Sequence, residues 1–98
     1  DGTSQALYGR TVFGRNPAPE TGAMVSPVRD ETLSLSKTHF ELAVIDGVLW
    51  VTDRHSTNGV VIRRGTQRQQ AVAGEPARVR MGDVLEFGDR HVVVEVAP

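Results

Sequence analysis

Short runs of alternating apolar and polar residues dominate this chain, and no segment keeps the i, i+3, i+4 apolar spacing of an amphipathic helix. The clearest run covers residues 38–45 and places Phe40, Leu42 and Val44 on one face. Similar runs follow at close spacing, separated by turns that contain glycine or proline. This pattern is typical of a β-sandwich, so the sequence predicts an all-β fold of short, mostly antiparallel strands.

The first strand pair can be assigned a register from its turn. Asp46-Gly47 favours a two-residue type I′ turn between the run 38–45 and a return strand at Val48–Asp53. Pairing across this turn gives the register Ile45–Val48, Val44–Leu49, Leu42–Val51 and Phe40–Asp53. The apolar members then share one sheet face, as a buried face requires, and Ala43 meets Trp50 on the other face.

The other elements are predicted from shorter patterns. A second hairpin is expected from Val84–Phe87 through a Gly88-Asp89 turn into residues 90–96. Further strands are predicted at residues 10–14, 33–35, 60–63 and 77–80. Residues 16–29, which contain three prolines, are predicted to form an irregular loop. We expect the whole chain, residues 1–98, to be a single domain from a longer protein.

Composition narrows the classes of partner and chemistry. The chain has 12 acidic and 11 basic side chains and a net charge of −1, which predicts no general attraction to nucleic acid or to an anionic membrane. It has no cysteine, which rules out disulfides and thiolate metal sites. His55 and His91 lack partners at metal-ligand spacing, so we expect neither a metal nor another cofactor. We also expect a monomer.

Three polar clusters carry candidate chemistry: Gly14-Arg15, residues 36–39 and residues 56–59. The predicted hairpin has strands of nearly equal length, so residues 36–39 and 54–58 must lie at the same open end. These loops bring hydroxyls, an amide, the chain's one lysine and exposed backbone N–H groups close together. A phosphate group requires this mixture of positive charge and directed donors, and an arginine can engage two of its oxygens.

The order and spacing of these clusters resemble those of the forkhead-associated (FHA) domain family. Members of this family carry Gly-Arg, then Ser-x-x-His, then Ser-x-Asn-Gly, and the resemblance covers about residues 11–96. It implies a sandwich of about eleven strands that binds phosphothreonine peptides on the loops at one end. The partner would be a phosphothreonine-containing protein, either a kinase or a kinase substrate, in Ser/Thr kinase signalling.

The resemblance also implies a role for each matching position. The phosphate-binding residues would be Arg15, Ser36, Lys37 and Thr57, and Asn58 would bind the peptide backbone. Gly14, His39 and Gly59 would support the site structurally. Lys37 stands where the family often has arginine, which keeps the charge but loses the bidentate option. Arg54 and His55 add positive charge beside the site and are candidates for selectivity at its rim.

Two alternatives belong to other functional classes. Ser36, His39 and Asp53 contain the groups of a hydrolase, but Ser36 and His39 are too close along an extended segment and no nucleophile elbow is present. A phosphate-independent interaction domain could use the Trp50 face or a sandwich edge. We expect a binding module and no enzyme. Arginine in place of lysine, with many Ala and Val residues, suggests a GC-rich bacterial genome, and kinase signalling implies the cytoplasm.

Overall fold

The computed structural model describes residues 9–95, which form nine strands in two sheets. The strands are β1 (Arg10–Gly14), β2 (Ala23–Pro27), β3 (Phe40–Ile45), β4 (Val48–Asp53), β5 (Val60–Arg64), β6 (Gln67–Gln70), β7 (Ala77–Val79), β8 (Val84–Phe87) and β9 (Arg90–Val93). The order is β2-β1-β3-β4-β7 in the first sheet and β6-β5-β8-β9 in the second. The all-β sandwich is confirmed, with nine strands in the described residues rather than eleven. Within that range no helix could span a bilayer.

Both predicted hairpins are present, and the first has the predicted register. In the first, Ile45 pairs with Val48 and the pairing continues to Phe40 opposite Asp53. Asp46 and Gly47 have φ values of 52° and 75°, as the type I′ turn requires. In the second hairpin, Phe87 pairs with Arg90 across the two-residue turn. Strand β9 ends at Val93, and position 96 of the predicted strand lies outside the described residues.

The core lies between the two sheets and is centred on three phenylalanines. Phe13 and Phe40 stack with ring centroids 4.9 Å apart, and Phe40 meets Phe87 of the other sheet at 4.7 Å. Around them pack buried aliphatic residues of both sheets, namely Leu42, Val51, Val60, Ile62, Val79 and Leu85, together with Leu35 of the segment before β3. Burial of this apolar surface holds the sheets together and fixes the end at which their loops meet.

Three sequence predictions about elements were wrong. The predicted loop 16–29 contains β2, which pairs in parallel with β1. Because β2 is the edge strand of its sheet, it hydrogen-bonds on one side only, and prolines are tolerated there. Residues 33–35 are not a strand, because Leu33 has a φ of 58° and the Asp30 carboxylate accepts the N–H groups of the two following residues. Strand β6 was missed because its four side chains are all polar and exposed.

Candidate functional site

Gly14 allows β1 to end against the Ser36–His39 segment. A Cβ atom on Gly14 would lie 2.0 Å from the backbone oxygen of Lys37, closer than real Cβ atoms come to other heavy atoms. The approach is held by backbone hydrogen bonds from Arg15 N–H to Ser36 O (3.0 Å) and from His39 N–H to Phe13 O (2.8 Å). Arg15 is therefore placed directly beside Ser36 and Lys37.

His39 connects the two loops that the hairpin register places at the same end. Its side chain is fully buried, with Nε2 2.8 Å from the backbone oxygen of Gly59 and Nδ1 accepting the N–H of Ser36 at 3.2 Å. Because Nδ1 is an acceptor, the proton of the neutral ring lies on Nε2 and is donated to Gly59. His39 thus ties the Ser36 loop to the end of the Ser56 loop.

The second loop is organised by Asp53 and Ser56. The Asp53 carboxylate accepts from the backbone N–H of Ser56 at 3.1 Å and from its hydroxyl at 2.5 Å, and the Ser56 hydroxyl oxygen accepts the N–H of Gly59 at 3.0 Å. This compact turn directs the Thr57 N–H to the hydroxyl oxygen of Ser36, 3.0 Å away. Ser36 and Thr57, which are 21 positions apart in sequence, are therefore neighbours.

Asn58 lies at the edge of the same loop, next to a third segment. Its side-chain amide nitrogen donates to the backbone oxygen of Ser34 at 2.7 Å, while its amide oxygen has no partner among the described residues. The Ser34 segment is held from below by Asp30, which accepts the N–H groups of Ser34 and Leu35 at 3.0 and 2.9 Å. Partial burial would raise the pKa of Asp30, but these hydrogen bonds outweigh it and lower that pKa.

The Gly88-Asp89 turn of the second hairpin also forms hydrogen bonds with the segment that contains Ser34. Asp89 accepts hydrogen bonds from the hydroxyls of Thr32 (2.8 Å) and Ser34 (3.0 Å), and these bonds lower the pKa of Asp89. Gly88 is required at this contact, since a Cβ there would lie 2.5 Å from the Ser34 hydroxyl. The segment 30–36 therefore has its position set by both sheets before any ligand arrives.

The cations at this end differ from most of the chain's other arginines. Within residues 9–95, neither Arg15 nor Lys37 has a carboxylate within 4.0 Å, and both side chains are exposed. Arg15 makes only a long contact of 3.4 Å from Nε to the backbone oxygen of Leu35. Six other arginines are paired with acids: Arg10, Arg29, Arg54, Arg63, Arg64 and Arg68. The loop end therefore presents unneutralised positive charge beside hydroxyl and amide groups.

The two rim candidates lie in different environments. Arg54 is turned to the outer face of the first sheet, where it contacts Glu20 at 2.9 Å and Glu41 at 3.1 Å in a cluster shared with Arg10. The hydrogen bond from Arg54, followed by that from Arg10, lowers the pKa of Glu20. Arg54 is thus not the free cation that the sequence suggested. His55 is exposed, with a φ of 55°, and lies against Gly74.

The geometry also bears on the hydrolase alternative. Both ring nitrogens of His39 are bonded to backbone groups, and Asp53 is bonded to Ser56, so no base is directed at the Ser36 hydroxyl. Among the residues described, no group of three or more His, Cys, Asp or Glu side chains could hold a metal. The arrangement offers donors and positive charge for an anion and offers no activated nucleophile.

The family resemblance had assigned a supporting role to Gly14, His39 and Gly59, but sequence reasoning missed other residues that hold the loops in place. Ser56 was recognised only as part of a motif, and the braces Asp30 and Asp89 were not singled out. A local signal existed for Asp53 and Asp30, since each precedes by three or four positions a serine whose N–H it accepts, a common aspartate turn pattern. Asp89 offers no such signal, because its partners are more than fifty residues away.

Comparison with solved structures agrees with this fold. Similar solved structures include the FhaA FHA domain complexed with the intracellular domain of Rv3910 (21% identity, 92% of this chain and 84% of that chain, TM-score 0.64). Another is an FHA domain from work on phosphothreonine-dependent interactions (24% identity, 100% of this chain and 91% of that chain, TM-score 0.69). A third is the FHA domain of human APLF in complex with an XRCC1 bisphospho peptide (22% identity, 93% of this chain and 85% of that chain, TM-score 0.65). No curated protein sequence matches the chain.

The sequence itself matches the FHA domain family over residues 11–88. This match covers most of the chain and includes Gly14-Arg15, the Ser36–His39 segment and the Ser56–Gly59 loop. The protein is thus an all-β module with a preformed polar loop end. It belongs to the FHA domain family.

Proposed function

We propose that this protein binds phosphothreonine-containing segments of partner proteins at the loop end formed by Arg15, Ser36, Lys37 and Thr57. The observation that carries the proposal is the combination of two carboxylate-free cations with two adjoining hydroxyls on loops already held in position. A phosphate of about −1.5 to −2 charge is stabilised by such donors more than a neutral side chain is. FHA domains, as a family, are interaction modules and not enzymes.

Each phosphate-binding residue has a distinct task in this proposal. Arg15 supplies a planar fork that engages two phosphate oxygens, and Lys37 supplies a mobile ammonium group. The Ser36 oxygen accepts from Thr57 N–H, so the Ser36 hydroxyl proton remains available to the phosphate. The exposed Thr57 hydroxyl completes the set of donors.

Asn58 fixes the register of the peptide. Its amide nitrogen is engaged by Ser34, which leaves the amide oxygen to accept a backbone N–H of the ligand. Gly14, His39 and Gly59 support the site, the first through the close approach of β1 and the others through the hydrogen bond that links the loops. His55, with its exposed ring at the border of the 53–59 loop, is the rim residue placed to influence selectivity, whereas Arg54 is neutralised by Glu20 and Glu41.

The partner in this proposal is a protein on which a Ser/Thr kinase has written the phosphothreonine, either the kinase itself or its substrate. The setting is the cytoplasm, where ATP-dependent kinases act, and the module acts as a monomer. Affinity should fall with rising salt, since much of it is charge-assisted. It should also fall as the pH drops through about 6, where the phosphate takes up its second proton.

Calorimetric titration tests this function with three peptide pools: phosphothreonine, phosphoserine and unphosphorylated. We expect binding to the phosphothreonine pool and a loss of at least about ten- to a hundredfold in Arg15→Ala, which corresponds to about 1.5–3 kcal/mol. Arg63→Ala, on the outer face of the second sheet, is the matched control and should bind like wild type. Equal binding to all pools, or to none, would refute the proposal and direct attention to the Trp50 face.

A further inference from the structure

A second polar surface lies outside the loop end, in the groove between the edge strands β6 and β7. Its walls include Gln69 and Gln70 of β6, and Arg78 with the following Arg80 on the β7 side. Arg64 lies at the end of the groove. The proposed phosphate site uses none of these residues.

The arginines that line this groove differ in whether a carboxylate neutralises them. Arg64 is held in a bidentate pair by the buried Asp83, with N–O distances of 2.8 and 2.7 Å, so its charge is neutralised. Arg78 and Arg80 have no carboxylate within 4.0 Å and no side-chain hydrogen bond among residues 9–95. Glu75 is the single acid lining the groove and forms no ion pair there. The groove is therefore lined by three arginines and one acid, and although Arg64 is neutralised by Asp83 and Arg80 acts electrostatically on the same carboxylate, the lining keeps a net positive charge.

The backbone around the groove is also open to a ligand. Within the described residues β6 pairs only with β5, and β7 pairs only with β4. Each strand therefore leaves one edge of backbone N–H and C=O groups unpaired, and such edges accept extended peptides. All four β6 side chains are exposed, so nothing on this strand blocks approach.

The segment that lines one end of the groove contacts the 53–59 loop, which carries Thr57 and Asn58 of the proposed site. The segment 71–76 that joins β6 to β7 donates a backbone hydrogen bond from Gly74 to the oxygen of Asp53, at 2.8 Å. A Cβ atom on Gly74 would lie 3.1 Å from the His55 ring, and one on Gly59 would lie 2.8 Å from the Gln70 amide nitrogen. A peptide anchored at Asn58 and leaving past His55 would thus pass over this segment and reach Arg78.

We propose that the groove binds an acidic, extended segment of the same partner that carries the phosphothreonine. This inference rests on the proposed function, because the phosphate would hold the partner beside the groove and raise the effective concentration of the second segment. Arg78 and Arg80 pair with its Asp or Glu side chains. Strand β6 has four residues, or about 13 Å at roughly 3.3 Å per residue, so the groove accommodates about four residues of ligand.

The experiment compares phosphothreonine peptides that share one core selected from the pool and differ in their tails. Each core carries a flexible spacer and a tail of four glutamates or four glutamines, on its N-terminal or its C-terminal side. Dissociation constants are measured by fluorescence anisotropy for wild type and for the double variant Arg78→Glu/Arg80→Glu. We expect one acidic-tail peptide to bind wild type about three- to tenfold more tightly than its glutamine counterpart. The double variant should lose this advantage and bind the core peptide like wild type.

The matched control is Arg29→Glu/Arg63→Glu, which makes the same change in net charge at two arginines outside β6 and β7, where they pair with Glu31 and Glu86. It should retain the acidic-tail advantage. The proposal is overturned if the groove variant retains the advantage, or if the control variant loses it equally, since the effect would then be one of net charge.

A separate measurement keeps this proposal distinct from the proposed function. Should no phosphopeptide bind, the unphosphorylated acidic tail alone is titrated while backbone amide NMR shifts are followed. Shifts confined to β6 and the Arg78–Arg80 segment, and absent in the groove variant, would support the groove by itself. Absence of such shifts would overturn it.

Discussion

Replacing Gly14 with alanine perturbs the point where β1 meets the Ser36–His39 segment. The new methyl carbon would lie 2.0 Å from the Lys37 oxygen, while Cβ contacts below 3.0 Å essentially do not occur, so the carbonyl must move by at least about 1 Å. Forced overpacking of this kind costs about 1–3 kcal/mol. The movement also weakens two backbone hydrogen bonds, those of Arg15 N–H and His39 N–H, at about 0.5–1.5 kcal/mol each.

The expected loss is therefore about 2–6 kcal/mol, a large part of the roughly 5–15 kcal/mol typical of a domain. Urea unfolding monitored by the single tryptophan, Trp50, measures it, and titration of the folded fraction with a phosphothreonine peptide measures the accompanying loss of affinity.

Gly47→Ala is the matched control, because Gly47 has a φ of +75° but no heavy atom within 4 Å of the new methyl group. It should cost only the backbone strain of about 1–2 kcal/mol and leave peptide binding unchanged, since it lies at the opposite end of the hairpin. The reasoning about Gly14 is refuted if Gly14→Ala stays within about 1 kcal/mol of wild type and binds peptide equally well.

Three further predictions concern buried polar groups. His39→Phe keeps an aromatic ring but leaves the Ser36 N–H and the Gly59 C=O without their hydrogen-bond partner. The free energy of unfolding, measured by urea titration, should therefore fall by about 2–4 kcal/mol. A loss below about 1 kcal/mol would contradict the bridging role. Thr11→Val removes a buried hydroxyl that has no hydrogen-bond partner among the described residues. It should therefore stabilise by about 1 kcal/mol and raise Tm by a few degrees in calorimetry, and a lower Tm would count against this. The hydrogen bond from Arg64 lowers the pKa of Asp83 below its ordinary 3.8, so this pair stabilises the fold above that pH and the gain is lost as the pH falls through the lowered value. Arg64→Gln should therefore show a smaller loss of stability between pH 7 and 2 in urea titrations, and an undiminished loss would be inconsistent with the pairing.

Much of the site's location could be predicted from the sequence because it follows from local rules. Asp46-Gly47 sets the turn type, the turn sets the register, and the register places residues 36–39 and 54–58 at one end. Their contact is now described by the bond from His39 to Gly59 and that from Thr57 N–H to Ser36. The choice of Arg15, Lys37 and Asn58 as ligand-binding residues still awaits the peptide titration.

Other features depend on contacts between segments that are remote in sequence. Composition and spacing show that Arg54 is a cation near the motif, but only the folded chain shows that Glu20 and Glu41 neutralise it. In the same way, Asp89 supports Ser34 from 55 residues away, and β2 pairs with β1 although its own sequence is typical of a loop.

The sequence by itself determined the alternation of strands, the turn chemistry and the inventory of donors, because these depend on residues within a few positions of one another. Only the tertiary structure decided which charges remain unpaired and which strand edges stay open. Among residues 9–95, Arg15, Lys37, Arg78 and Arg80 are exposed and have no carboxylate within 4.0 Å, whereas six other arginines are paired with acids. Charge pairing depends on distances of a few ångströms between side chains, and those distances are set only when the two sheets close on their shared core.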